Sequence, residues 1–277
     1  MASQTQLGRA FGIVELLSTE GAGLPLQDIA DRLDIPKSAT HRLLAELAEL
    51  GHVRQDAASL RYYLSTRLVT LAFNLLAASG VVDVAQPILD RLAASTGELA
   101  RLGVTDGDRQ VWVAKAQGAR GGLRYDPDMG QVAPLTSTAT GHAWLATMSD
   151  EDALMLVARQ GFNQAPDIGP NAPRTIEQLL ERLRLARTLG YATVSDCSTL
   201  GLAALTVAVR HPNTQAVLGT LSVAGPTARL DAERMQRIAP EVINAAREIG
   251  LASLSSDYFK RLDVQLPAPP LPSLLRA

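Results

Sequence analysis

The chain has 277 residues, a length that fits one large domain or two ordinary ones. Apolar residues make up 47 % of it and charged residues 19 %, which excludes wholesale disorder. The formal net charge is −2, so bulk charge does not identify a binder of nucleic acid or of anionic membranes. Cys197 is the single cysteine, which excludes an internal disulfide.

The start of the chain and its apolar segments bear on cellular location. Residues 1–14 lack the basic flank, long apolar core and small-residue cleavage site of a secretory signal. The longest apolar runs fall short of the roughly 18–20 residues that span a membrane. We therefore expect a soluble, cytoplasmic protein without a membrane partner.

Apolar residues at helical spacing predict three helices in the first fifty residues. These predicted helices cover residues 7–18, 26–33 and 37–50. Pro36 stands where the third helix begins, and Gly51 is suited to end it in a left-handed conformation. The segments 52–54 and 60–64 flank a polar tip and predict a β-hairpin. Three helices followed by a hairpin is the element order of a winged helix-turn-helix.

The rest of the chain predicts a mixture of helices and strands. The helix predicted at 66–79 is apolar around much of its circumference, so we expect it to pack on the N-terminal domain and on a second copy. Further helices are predicted at 82–96, 138–148, 150–160, 174–189 and 231–249. Strands are predicted at 99–104, 110–116, 123–125, 191–194, 205–209 and 217–223. The tail from Pro267 is rich in proline and is expected to be loosely ordered.

The third helix has one apolar side and one small, hydroxylic and basic side. The apolar side carries Leu43, Leu47 and Leu50. The opposite side carries Ser38, His41, Ala45 and Ala48, flanked by Lys37 and Arg42. A recognition helix places its N-terminal residues against base edges in the major groove, and small residues permit a close approach.

The charge of this region argues against DNA binding, because residues 1–67 hold seven basic and eight acidic side chains. Four of the basic residues lie on the third helix and the hairpin, however, whereas five of the acids precede that helix. The alternative is a small helical oligomerisation domain with a solvated charged face.

Several ordered motifs are shared with one known family. They are residues 8–11 (GRAF), 35–44 (IPKSATHRLL), 50–53 (LGHV), 61–64 (RYYL), 134–143 (PLTSTATGHA), 190–192 (GYA) and 221–226 (LSVAGP), followed by Arg229 and Leu230. Over residues 7–250 the chain resembles the IclR family of bacterial transcriptional regulators.

The resemblance implies an α+β protein of two domains. A winged helix-turn-helix at 1–65 would be joined by a linker and dimerisation helix at 66–80 to an effector-binding domain at 81–255. That second domain would be α/β and GAF-like, with a mainly antiparallel sheet, and a Pro-rich tail would occupy 256–277. The expected partners are double-stranded operator DNA, a small effector that is often a carboxylate, and further copies of the chain, as a dimer or a dimer of dimers.

The residues expected to contact DNA lie on the third helix and the hairpin. Those expected in the major groove are Lys37, Ser38, Thr40, His41 and Arg42. Arg54 and Arg61 are expected on phosphates. The family commonly has a hydroxyl residue at 39 and an aliphatic one at 40, whereas this chain has Ala39 and Thr40, so contacts near that step are expected to differ.

The turn at 134–141 opens a helix whose free N–H groups are suited to hold a carboxylate, with Thr138 or Thr140 as an added donor. The resemblance places the opposite wall at Asp196 and on two strands. The full set of expected effector-binding residues is Thr138, Ala139, Thr140, Gly141, Asp196, Ala204, Ala208, Ser222 and Ala224. The three alanines among the strand positions leave room that favours an aromatic or medium-sized acid. The alternatives are helix capping for the threonines and tight packing for the alanines.

No cofactor, metal site or catalytic residue is expected. The chain lacks metal-ligand spacing among its four histidines and one cysteine. Cys197 could pair with His142 or His211 as a nucleophile, but a buried structural cysteine is favoured. The family usually has lysine at 142, where this chain has histidine. The competing functions are an enzyme in the C-terminal domain, with the N-terminal domain serving oligomerisation, and a regulator without a ligand.

Overall fold

A computed structural model of the chain describes residues 5–127, 129–162 and 168–256. The chain divides into two compact units, the first ending at Leu76 and the second beginning at Ala77. The division falls inside one helix, in the segment expected to be the linker. The Pro-rich tail beyond residue 256 lies outside the described residues.

The first unit is a three-helix cluster with a short hairpin. Its elements are α1 (Gln6–Ser18), α2 (Leu26–Leu33), α3 (Lys37–Glu49), β1 (Val53–Gln55), β2 (Tyr62–Leu64) and the first part of α4 (Arg67–Ser79). The three helices and the hairpin share one apolar core, which includes Ile13, Ile29, Leu44 and Val53. Three residues join α2 to α3, and Asp34 opens this turn in the left-handed conformation with φ 51°.

The hairpin is attached to the helices through the segment before α2. β1 and β2 pair antiparallel, and Leu24 exchanges two backbone hydrogen bonds with Tyr62. Gly23 precedes this bridge with φ +64°, and a Cβ there would lie 2.6 Å from the ring of Tyr63. Glycine therefore lets the chain pass close to the hairpin, which holds the wing in place beside the helices.

The second unit contains a five-stranded antiparallel sheet in the order β4-β3-β7-β6-β5. Its strands are β3 (Leu99–Asp106), β4 (Arg109–Gln117), β5 (Ala192–Ser195), β6 (Leu202–Arg210) and β7 (Val217–Pro226). Its helices are α5 (Val81–Thr96), α6 (Ala139–Leu145), α7 (Asp150–Gln160), α8 (Ile176–Leu189) and α9 (Ala232–Ala252).

The two faces of the sheet differ in chemistry, because side chains alternate along each strand. On β3, Ala100, Leu102 and Val104 enter the large apolar core, to which α5 and α9 also contribute. Arg101 and Gly103 alternate with them and lie on the opposite face, which we call the polar face. α6 packs against β5, β6 and β7, and Ala139 on α6 joins Val194 and Ala204 in a small cluster.

The structure confirms the predicted α+β class, the antiparallel sheet, and all but one of the predicted elements, with shifts of a few residues at their ends. The strand predicted at 123–125 is wrong, since this segment is irregular. Two of its backbone carbonyl groups accept hydrogen bonds from side chains instead of from a neighbouring strand. Arg229 donates to Leu123 O, and Gln117 donates to Tyr125 O. In the described ranges, each helix is too short or too polar to cross a lipid bilayer.

Candidate functional sites

The outer side of α3 is exposed and bears the residues expected from its periodicity. Lys37, Ser38, His41 and Arg42 are all exposed in its first turns. Leu43, Leu44 and Leu47 fasten the opposite side to the core of the first unit. The first half of α3 thus presents two basic side chains, an imidazole and a hydroxyl on a firmly packed helix.

Thr40 does not lie on this surface, and its prediction as a groove-contacting residue is wrong. Its side chain is fully buried, and its hydroxyl donates to the carbonyls of Pro36 at 3.3 Å and Ile35 at 3.4 Å. Thr40 precedes Leu43 by three residues and Leu44 by four, which is the spacing of neighbours on one helical face. The hydroxyl therefore lies in the core and forms hydrogen bonds with the backbone of the turn before α3.

The two hairpin arginines differ in their freedom to meet a phosphate. Arg54 is exposed, and its guanidinium carbon lies 5.8 Å from the centroid of the Tyr63 ring. Arg61 is partly buried, and its Nη1 donates to the carbonyl of Gly23 at 2.7 Å. Arg54 is therefore available to a ligand, whereas Arg61 fastens the hairpin to the segment before α2.

An apolar groove of about 560 Å³ crosses the first unit between α1, α3 and the start of α4. Its rim exposes large apolar side chains, including Leu7 at 68 %, Phe11 at 60 % and Leu71 at 52 %. Elsewhere on α4, Val69, Phe73 and Leu75 are at least half exposed. The stretch of α4 in the first unit is thus apolar and largely uncovered in a single chain.

The polar face of the second unit contains the predicted strand residues. Ser222 lies opposite Arg101 on β3 and Thr206 on β6, and Ala224 lies opposite Ala204. Ala208 lies opposite Thr220 in the next same-face row. Directly opposed residues point to the same face, so these four positions do share one surface.

The residues predicted at the start of α6 make their contacts within α6 and the turn before it. The hydroxyl of Thr138 accepts from Gly141 N at 2.9 Å and donates to Pro134 O at 2.6 Å, so it caps the helix. A Cβ on Gly141 would collide with the backbone of Leu135. Ala139 and Thr140 are buried. Glycine at 141 is thus required by packing of α6 on its own preceding turn.

Asp196 also has a local role. It adopts a left-handed conformation with φ 55°, and its Oδ1 accepts from Gly201 N at 2.6 Å. Cys197 beside it is buried, and desolvation raises the pKa of its thiol, which favours the protonated and unreactive form. Among the described residues no group of acidic, histidine and cysteine side chains could hold a metal ion.

Sequence reasoning missed a set of buried polar atoms on the polar face. In the described parts of the chain, eight buried side-chain nitrogen or oxygen atoms have no hydrogen-bond partner. Seven belong to the polar face or to α6: Arg101 Nε and Nη1, Thr105 Oγ1, Gln110 Nε2, Trp112 Nε1, His142 Nδ1 and Thr206 Oγ1. Buried polar atoms are nearly always paired, so this concentration is unusual for a protein interior.

Arg101 is the charged member of this set and is only 5 % exposed. Its guanidinium carbon lies 4.0 Å from the centroid of Trp112 and 5.5 Å from that of Tyr125. Burial lowers the pKa of Arg101 below its usual value. The sequence signal was an arginine in the otherwise apolar run 99–104.

His142 is neutral near pH 7, because burial lowers its pKa to about 4. Its Nε2 lies 2.8 Å from the carbonyl of Thr136, so Nε2 carries the proton and donates. Nδ1 is then a buried acceptor.

Comparisons with known proteins match both parts of the chain to one family. Residues 6–57 match the family described as IclR helix-turn-helix domain, and residues 73–251 match the family described as bacterial transcriptional regulator IclR C-terminal. The transcriptional regulator BhcR of Paracoccus denitrificans is 30 % identical over 243 residues, which cover 88 % of this chain and 85 % of that protein. The repressor AllR of Escherichia coli is 26 % identical and covers 89 % of each chain.

Solved structures share the fold. An IclR transcriptional regulator from Alicyclobacillus acidocaldarius has a TM-score of 0.77 at 26 % identity, covering 91 % of this chain and 100 % of its own. An IclR homolog from Microbacterium hydrocarbonoxydans, solved with 4-hydroxybenzoate, has a TM-score of 0.74 at 20 % identity over the same shares. These similarities favour a regulator over an enzyme. From its two matched domains and its relatives, the chain belongs to the IclR family of ligand-responsive, DNA-binding transcriptional regulators.

Proposed function

We propose that the protein binds double-stranded operator DNA as a dimer or dimer of dimers and that a small organic carboxylate alters this binding. The observation that carries the proposal is the exposed side of α3, with Lys37, Ser38, His41 and Arg42 held on a packed core. This set is the predicted one without Thr40. A bacterial protein that binds operator DNA would be located in the cytoplasm.

The side chains on α3 divide into two kinds of contact. Arg42 and His41 are long enough to donate to base edges, and arginine pairs well with the two acceptors of guanine. Lys37 and Ser38 lie in the first turn, where the helix dipole also attracts phosphate. Arg54 on the hairpin is exposed and suited to a phosphate beside the groove.

The second copy would cover the apolar groove of the first unit. The groove is lined by Leu7, Phe11 and Leu71, and α4 carries further exposed apolar side chains next to it. Two copies can therefore each place an apolar helix in the other's groove. This self-complementary arrangement suits a two-fold dimer, which in turn suits an operator of two half-sites.

The effector would bind on the polar face of the second unit, beside Ser222, Ala204 and Ala224. The unpaired buried atoms of that face require a polar ligand or water. The Microbacterium homolog with 4-hydroxybenzoate shows that a related fold accommodates an aromatic carboxylate. The effector would bias the arrangement of the two DNA-binding units through α4, by a shift between pre-existing states.

Fluorescence anisotropy of DNA flanking the protein's own gene tests this function. The titration is run at fixed salt with excess nonspecific competitor, with and without a panel of aliphatic and aromatic carboxylates. We expect competitor-resistant binding that one acid changes. Specific binding that no acid alters would leave the DNA interface standing and contradict the effector proposal. A screen that finds turnover of a small molecule would instead favour an enzyme.

A further inference from the structure

The second unit buries a cation that has no counter-ion among the described residues. Arg101 is 5 % exposed, and none of the ion pairs of the described chain includes it. Lys115 lies directly opposite on β4, but its Nζ pairs with Asp126 at 2.6 Å. Tyr125 interacts with Arg101 and partly offsets the effect of burial on its pKa, but Nε and Nη1 have no partner among the described residues. A buried charge is costly unless it is paired, so these two atoms favour an anion.

Two other side chains of the polar face, one of them in contact with Arg101, offer further N–H donors. Trp112, in contact with the guanidinium, has an unpaired Nε1. Gln110 uses its Oε1 to accept from Thr220 at 2.7 Å, which leaves its Nε2 as an unpaired donor. With Arg101 Nε and Nη1, four buried N–H donor atoms lack acceptors among the residues that the structure describes. A carboxylate has two oxygens with about four lone-pair positions, which matches this set.

The polar side chains pack closely on β3 beside Arg101. Gly103 is the next residue of β3 on the same face and lies opposite Trp112 and Thr220. A Cβ on Gly103 would lie 3.1 Å from Thr220 Oγ1, 3.3 Å from Gln110 Oε1 and 3.7 Å from Trp112 Cδ1. Glycine therefore allows Thr220, Gln110 and Trp112 to pack closely on β3 beside Arg101.

We propose that Arg101 binds the carboxylate of the effector on the polar face, with Trp112 Nε1 and Gln110 Nε2 as additional donors. The inference rests on the proposed ligand response and deepens it, because it moves the charged end of the effector from α6 to β3. The arrangement favours a planar carboxylate, which accepts two parallel bonds from one guanidinium, over an uncharged analogue of the same shape.

The first test needs no ligand. In the unliganded protein, removal of an unpaired buried charge stabilises the folded state. Arg101→Met should therefore raise Tm by about 3 °C. The matched control is Arg109→Met, since Arg109 lies on the same sheet with a 61 % exposed side chain and should leave Tm unchanged. A fall in Tm on Arg101→Met would mean that Arg101 is a satisfied structural residue and would overturn the proposal.

The second test measures binding of stated probes by calorimetry and by thermal shift. The probes are benzoate, 4-hydroxybenzoate and pyruvate, with benzamide as the uncharged isostere and inorganic phosphate as the competing anion. We expect at least one carboxylate to bind the unaltered protein, with its affinity reduced at least tenfold by Arg101→Met and less by Arg101→Lys. Arg109→Met should bind normally.

Three outcomes would overturn the proposal: no carboxylate bound up to about 20 mM, equal affinity in Arg101→Met, or phosphate bound in preference to every carboxylate. Operator binding of each variant is measured in parallel without acid. Arg101→Met should retain it, so loss of the acid response with intact DNA binding identifies the site. Failure of the unaltered protein to bind any operator would contradict the proposed function while leaving the acid titration to judge Arg101.

Discussion

Both carboxylate oxygens of Glu98 accept hydrogen bonds from Arg229, one from Nε and one from Nη2, each at 2.8 Å. The Glu98 side chain is 2 % exposed, and Arg234 lies 3.7 Å from the same carboxylate. A Cβ on Gly225 would collide with the Glu98 side chain, so a larger residue there would displace the carboxylate. The pair connects the start of β3 to the segment between β7 and α9 and thereby steadies the strand that carries Arg101.

The Glu98–Arg229 pair should contribute strongly to stability. We expect Glu98→Ala to lower the free energy of unfolding by about 2–3 kcal/mol, since it leaves a partly buried guanidinium unpaired. Urea denaturation measures the change. The control is Arg237→Ala, which breaks an exposed pair with Glu233 and should cost less than about 0.5 kcal/mol. Equal costs for the two variants would contradict a role for burial.

Arg42 should determine operator affinity. If it donates to a base, Arg42→Ala weakens specific binding by about 1–3 kcal/mol and relaxes the preference at one position. Anisotropy against the operator and against single-base variants measures both effects. Thr40→Ala is the matched comparison on the same helix: because Thr40 is buried, it should lower stability by about 1 kcal/mol and leave base preference unchanged. A changed preference in Thr40→Ala would place that hydroxyl at the interface after all.

The two hairpin arginines should behave differently in salt. Arg54→Ala should weaken binding to all sequences alike and reduce the slope of log K against log salt by about 1, as expected for one phosphate contact. Arg61→Ala should instead lower the stability of the first unit, because it removes the bond to Gly23 O. Salt titrations and thermal unfolding of both variants separate these effects. A reduced slope in Arg61→Ala alone would reverse the assignment.

Buried His142 should make stability depend on pH. Its folded pKa of about 4 lies below the ordinary 6.5, so the unfolded chain binds the proton more tightly. Stability from this group is therefore complete above pH 6.5 and declines as pH falls toward 4, by up to about 3 kcal/mol.

Urea unfolding at several pH values between 7 and 4 checks this sign. His142→Gln should flatten the decline, whereas His41→Gln, which alters an exposed imidazole, should retain it. Identical pH profiles for the unaltered protein and His142→Gln would contradict burial of a neutral imidazole.

The exposed apolar side of α4 should hold the dimer together. We expect Leu71→Glu to raise the dimer dissociation constant at least tenfold, because it places a charge in the apolar groove. Sedimentation velocity measures the change, and operator affinity should fall with it. Leu200→Glu, an equally drastic change at a side chain that is 74 % exposed in the second unit, is the control. A monomeric unaltered protein would contradict the proposal directly.

The sequence by itself determined the elements and the class of fold. Helical spacing located α1, α2 and α3, and apolar runs located the strands of the sheet, because these periodicities are local properties of the chain. The error at 123–125 arose because its apolar and aromatic residues follow the pattern of a strand, while the carbonyls of Leu123 and Tyr125 are bonded by side chains distant in sequence.

The sequence predicted the candidate DNA-binding and effector-binding residues only in part. The exposed side of α3 followed from periodicity, but the placement of Thr40 did not, because one step of 100° around a helix separates solvent from core. The shared face of Ser222, Ala204 and Ala224 followed from a family resemblance. Thr138 and Asp196 were predicted for the effector, but the chain's own turns use their polar groups.

Only the tertiary structure showed that Arg101 contacts Trp112 and that Gln110 and Trp112 pack beside Gly103. These residues lie on two strands joined by a bulged antiparallel pairing, and their contacts depend on its register. Whether a polar atom finds a partner depends on everything packed around it, which no local pattern contains. The sequence therefore specified the scaffold through local periodicity, whereas strand register and side-chain packing decided which buried polar atoms remain unpaired in the described part of the chain.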